Sequence, residues 1–93
     1  KLPVLVVVGN NGGWGAVAGG TKALYPDGYA ARAETIPATA FTTSPDFAAI
    51  AASSRAAALS VSRAEDLPGV LEEAVSLIRT RRQSVLVDVQ LAR

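Results

Sequence analysis

The chain has 93 residues, 49% of them hydrophobic, and nine basic against eight acidic side chains give it a net charge of +1. That length suits one domain or part of one, burying only about 60–65% of its unfolded surface, and so small a charge sets up no field to steer nucleic acid or a membrane surface. Cys and His are both absent, which excludes disulfides, thiolate chemistry, imidazole acid–base catalysis and zinc held by either residue.

No apolar run approaches the roughly 20 residues that cross a bilayer, and no signal-peptide pattern is visible. A cytoplasmic protein is the expectation. Lys1-Leu2-Pro3 leads directly into an apolar strand with no initiator Met, so the chain reads as a piece of something longer.

The first strand spans about Pro3 to Gly9. Its run Val4-Leu5-Val6-Val7-Val8 is continuous rather than alternating, the pattern of a strand buried on both faces of a parallel sheet. Gly9-Asn10-Asn11-Gly12-Gly13-Trp14-Gly15 follows, with two neutral amides and four glycines. Glycine admits positive φ and close backbone approach to a ligand, and ligands of open α/β sheets bind at the carboxyl ends of strands. The functional site is therefore expected at this junction.

Trp14 to Leu24 is predicted as a short helix, weakened by Gly19-Gly20. Tyr25 to Pro45, with Pro26, Asp27-Gly28 and Pro37, is predicted as mostly irregular and pinned by Tyr25, Tyr29, Ile36 and Phe41. A loop of that length in a small domain is usually functional or covers a partner surface. Ser44-Pro45-Asp46 has the form of a helix start with Ser as N-cap. Phe47, Ile50 and Ala51 share one face of a helix ending near Ser54. Ala57 to Val61 reads as a strand with Leu59 and Val61 on one face.

Ser62 to Glu65 matches a capping box. Leu67, Val70, Leu71, Ala74, Leu77 and Ile78 recur at helical spacing up to about Arg82, and Val85 to Leu91 is a further buried strand. The basic run Arg79-Thr80-Arg81-Arg82 complements the negative end of the helix dipole. Strands alternating with helices imply right-handed crossovers and a parallel sheet covered by helices. Three strands leave faces that upstream strands or a partner must cover.

Three chemistries suit the glycine loop. An Asn amide oxygen and a glycine carbonyl fit a hard divalent cation such as Mg²⁺, with phosphate oxygens completing its shell; glycine N–H groups and a helix N-terminus fit a phosphate. The loop is equally compatible with a plain β–α turn in which the amides bond only to backbone, as in a non-catalytic α/β module. Gly13-x-Gly15-x-x-Ala18 also fits a relaxed Rossmann-like dinucleotide fingerprint, that of an NAD-binding oxidoreductase fragment. Glu34 falls near the required distance for its acid, but among turn residues rather than at a strand end.

Leu2-Pro3-Val4-Leu5-Val6-Val7-Val8-Gly9-Asn10-Asn11-Gly12-Gly13-Trp14-Gly15 resembles the second half of the thiamine diphosphate motif, which opens with Gly-Asp-Gly and closes with Asn-Asn. Pro45-Asp46-Phe47-Ala48-Ala49-Ile50-Ala51, Glu65-Asp66-Leu67 with Leu71-Glu72-Glu73-Ala74, and Val85-Leu86-Val87-Asp88-Val89 resemble later elements of that family in order. The likeness is to acetolactate-synthase-like enzymes that process 2-oxo acids, and residues 1–93 then form one partial domain, the C-terminal portion of a diphosphate-binding domain. The fold implied is α/β, a parallel sheet flanked by helices in the order β-α-β-α-β.

The resemblance implies thiamine diphosphate and Mg²⁺ as cofactors. It makes Asn11 (side-chain oxygen) and Gly13 (backbone carbonyl) the metal ligands. Asn10, Gly12, Trp14 and Gly15 would shape the diphosphate pocket, with Ala16 and Val17 toward the substrate. It implies a lyase or transferase acting on a small 2-oxo acid, in a homodimer or homotetramer of the full-length protein. The first-half Asp and the cofactor-activating Glu are not among these residues, and none here is assigned a catalytic role. Three departures stand out: Gly9 replaces a larger apolar residue, Arg55 replaces a glycine that would end the second helix in a left-handed turn, and the Tyr25–Pro45 loop is several residues longer. Asp88, an acid in a buried strand, is expected to be salt-bridged or structural.

Overall fold

The computed structural model describes residues 2–92; Lys1, read as leading into the first strand, lies outside the described residues. The chain divides into two compact units. One holds the chain up to Asn10 together with Pro45–Leu91, and the other is built on Asn11–Ser44.

The first unit is a three-stranded parallel sheet of β1 (Leu5–Asn10), β2 (Ala57–Val61) and β3 (Val85–Gln90), in the order β1-β3-β2. Its helices are α3 (Phe47–Ser53) and α4 (Leu67–Arg81), the latter entered through a 3₁₀ turn at Ala64–Asp66. This is the expected α/β class with a parallel sheet and flanking helices. The connection to β2 passes beyond β3 and the next one steps back, so right-handed crossovers put α3 and α4 on opposite faces. In-register partners point the same way. Leu5 and Val7 therefore share a face with Val85 and Val87, while Val8, Asn10, Ser60 and Asp88 lie on the other.

The core lies under α4. Val61, Ala74, Val85 and Val87 are buried, and Leu59, Leu67, Val70, Leu77 and Ile78 pack against them. Val85 and Val87 are fully buried, each contributing about 1.5–3 kcal/mol. β3, paired on both sides, is the strand that the continuous apolar run describes. β1 corrects the expectation of burial on both faces: Val6 is 45% and Val7 53% exposed. Its one partner is β3, because a run of valines encodes an apolar strand but not its place in the sheet.

Helix starts also depart from expectation. Asp46, not Ser44, caps α3, its Oδ1 accepting from the Ala49 N–H at 2.9 Å. The short acid both reaches that amide and sits at the positive end of the helix. Ala51 is buried on α3, while Ile50, expected on the inner face, is exposed. The Ser62–Glu65 capping box does not form. Glu65 instead pairs with Arg63, whose Nε donates to its Oε1 at 2.9 Å, and α4 begins at Leu67 with Pro68 in its first turn. A hydrogen bond from the backbone, then the Arg63 guanidinium, holds the Glu65 carboxyl below its ordinary range. Arg55 takes the left-handed turn itself (φ 60°), and Arg82 does the same after α4 (φ 52°).

In the second unit, α1 (Gly15–Leu24) and a single turn, α2 (Tyr29–Arg32), are joined and followed by loop. Of the residues expected to pin that loop, Ile36 is buried and Phe41 partly so. Tyr25 and Tyr29 are not: they are 67% and 79% exposed.

Candidate functional site

β1 ends at Asn10, which pairs in register with Gln90. Asn10 is only 8% exposed; its Nδ2 donates to Asp88 Oδ2 at 3.5 Å, and Gln90 Nε2 donates to the same oxygen at 2.9 Å. Among the described residues Asp88 has no ion pair; of the two roles expected for it, salt-bridged or structural at the strand end, it takes the second, accepting from two amide donors at the ends of β1 and β3. Its Oδ1 is buried and, among the described residues, without a partner. Gly9, which stands in place of a larger apolar residue, stays in the ladder opposite Val89, and a Cβ there would meet Leu91 Cδ1 at 3.2 Å.

The second unit begins with the loop itself. Asn11 Oδ1 accepts from the Gly13 N–H at 3.3 Å, a local turn made by an Asx side chain. Gly12 holds φ 70°, a backbone that side chains rarely adopt. Gly13 forms an isolated antiparallel bridge with Ala40, flanked by Trp14 N–H to Thr39 O (2.7 Å) and Phe41 N–H to Gly12 O (2.8 Å). Bonds on those flanking groups make Gly13 and Ala40 a non-hydrogen-bonded pair. The Gly13 carbonyl therefore points away from the 39–41 segment, and among the described residues no donor reaches it. A Cβ on Gly13 would sit 2.2 Å from Thr39 O, and one on Gly15 would sit 2.9 Å from Asn11 Nδ2. Only glycines let the loop close this tightly.

Asn11, Gly13 and Gly15 line one cavity of about 450 Å³, together with Ala18, Lys22 and Glu34. Among its described lining residues Lys22 is the sole cation and Glu34 the sole carboxylate. The sequence reading missed Lys22, although Gly15, Ala18 and Lys22 lie at i, i+3 and i+7 on one face of α1. Trp14, expected to wall the pocket, is outside the lining set and packs edge-to-face on Phe41 with ring centroids 5.5 Å apart. Ala16 and Val17 are exposed on the first turn of α1 and do not line the cavity either. Glu34 follows the turn α2 rather than a strand, so the context that a dinucleotide fingerprint requires is missing.

Among known protein families, the chain matches the thiamine pyrophosphate enzyme C-terminal TPP binding domain over residues 1–89. The chain belongs to that family. Neither curated proteins nor solved structures gave a match.

Thiamine pyrophosphate is thiamine diphosphate, so membership supports the cofactor read from the Asn-Asn loop and makes this a domain of a thiamine-diphosphate-dependent enzyme. The loop fits the metal-bound diphosphate chemically. Among the described residues no group of three or more acids exists to cage a cation. The oxygens on offer at the loop are an amide and a free carbonyl, a donor set suited to a hard cation that keeps phosphate and water in its shell. Asn11 Oδ1 has one lone pair engaged by Gly13 and another available. No helix of the described residues is long and apolar enough to cross a membrane.

Proposed function

We propose that this TPP-binding domain serves a Mg²⁺-dependent enzyme that decarboxylates a small 2-oxo acid and passes the remaining unit to a carbonyl acceptor, in the manner of acetolactate synthase. The observation that carries the reading is the Gly13 carbonyl, which no donor among the described residues reaches, in a residue that lines the same cavity as Asn11. These two oxygens are the proposed Mg²⁺ ligands from this chain.

Gly12, Gly13 and Gly15 let the main chain approach a diphosphate, and the first N–H groups of α1 face it with the favourable end of the helix dipole. Lys22 adds a positive charge to the same cavity. Asn10, held in the sheet by Asp88, sets where the loop begins, and the Trp14–Phe41 contact braces its far side; Ala16 follows on α1. When bound, thiamine diphosphate supplies the carbanion-stabilising chemistry, and the protein supplies binding and orientation. No residue of this chain is assigned to acid or base catalysis. The same reading takes the full-length protein to be a cytoplasmic homodimer or homotetramer, with no nucleic-acid or membrane partner.

Trp14 packs on Phe41 beside the loop, and the part of the fluorescence response that Trp14→Phe removes reports on it. Titrating the full-length protein with thiamine diphosphate should change its fluorescence only when Mg²⁺ is present, and NAD should leave it unchanged. CO₂ release from pyruvate in the loaded protein tests the reaction class. A response to NAD, or one to thiamine diphosphate that ignores Mg²⁺, would count against the reading.

A further inference from the structure

We propose a second anion site, for the phosphate group of a small molecule, in a cleft at the amino end of the sheet where Arg55, Arg81 and Arg82 converge. The cleft has a volume of about 280 Å³ and is lined by residues preceding all three strands, among them Pro3, Ser54 and Ser84 with the three arginines. The glycine loop leaves from the opposite, carboxyl end of β1, and the inference does not rest on the cofactor reading.

Several observations support it. None of the lining residues is acidic, and among the described residues Arg63 is the only arginine in an ion pair. In a chain of net charge +1, three uncompensated cations on one cleft are a strong local field. The dipole of α4 accounts for cations in its last turn, but Arg55 follows a different helix, α3. Gln83 Nε2, donating to Arg55 O at 3.2 Å, ties the two helix ends together.

Arg55 and Arg82 also hold left-handed backbone, φ 60° and 52°, at helix-end positions where glycine is free of penalty. Non-glycine residues held in such backbone cluster at functional sites. Guanidinium groups meet phosphate with paired N–H donors. Ser84 Oγ accepts from the Val4 N–H at 3.0 Å and keeps its own proton to donate. The volume lies at the small end of ligand pockets, which suits a compact phosphate rather than a polymer.

Calorimetric titration of the full-length protein with inorganic phosphate, and separately with glycerol phosphate, tests this at an ionic strength held constant with sodium chloride. The first ligand stands for free phosphate, the second for a phosphomonoester, and whichever binds more tightly names the source. The double variant Arg55→Gly, Arg82→Gly keeps the left-handed backbone, so its melting temperature should not fall while its affinity drops about tenfold or more. Arg81→Gln, at an exposed helical position, should weaken binding in the same direction. Equal affinity in wild type and both variants, or heats no different from those of sodium chloride alone, would overturn the proposal.

Discussion

Replacing Gly13 with Ala tests the loop geometry most sharply within the fold. The added methyl carbon would lie 2.2 Å from Thr39 O, about 1.2 Å short of the 3.4 Å at which ordinary contact begins, and the obstacle is backbone. No rotamer relieves it, so the 39–41 segment must withdraw from the loop. Withdrawal breaks Trp14 N–H to Thr39 O and Phe41 N–H to Gly12 O, each worth about 0.5–1.5 kcal/mol net. A loss of about 1–3 kcal/mol is therefore expected in urea denaturation, with faster hydrogen exchange at the Trp14 and Phe41 amides. Unchanged stability with both amides still protected would refute the bridge as described.

The other expectations concern glycines, the core and acid. Gly20→Ala, in the interior of α1 with open space around the new methyl, should stabilise the protein by about 0.5–1 kcal/mol in the same denaturation assay. Val87→Ala, at a fully buried position, should cost about 2 kcal/mol, whereas Val7→Ala on the half-exposed edge strand should cost well under half as much; equal losses would mean that β1 is not at an edge. Glu65 has a lowered pKa in the folded chain, so its contribution is present at neutral pH and is lost as the pH falls through and below the ordinary carboxylate range. Its carboxyl carbon in an NMR titration should show a midpoint below that of Glu in the unfolded chain, and Arg63→Ala should raise it.

The strands were largely legible. Ala57–Val61 matches β2 as expected, and α4 and β3 fall within a few residues, because their apolar periodicity coincides with what they bury. The position of β1 was not legible, since an edge valine and a central valine look alike in sequence. Helix starts failed where a nearer competitor took the partner: Asp46 outreached Ser44, and Arg63 claimed Glu65. The Asn-Asn-Gly-Gly loop was visible as a candidate site because each glycine meets a steric demand that the structure shows at Gly12, Gly13 and Gly15. Glu34 was weighed only as the acid of a dinucleotide fingerprint; its place on the cavity wall was not legible, because it follows an irregular segment where local sequence carries no period. The Trp14–Phe41 contact was not legible, because Phe41 lies across that same segment.

The central claim is that Asn11 and Gly13 hold a metal-bound diphosphate. Its most direct test is the affinity of the full-length protein for thiamine diphosphate with and without Mg²⁺, in wild type and Asn11→Ala, with circular dichroism as the control for folding. Loss of one oxygen ligand should weaken Mg²⁺-dependent binding by about 10- to 100-fold and leave the spectrum unchanged. Binding of equal strength in the two proteins, equally dependent on Mg²⁺, would contradict it.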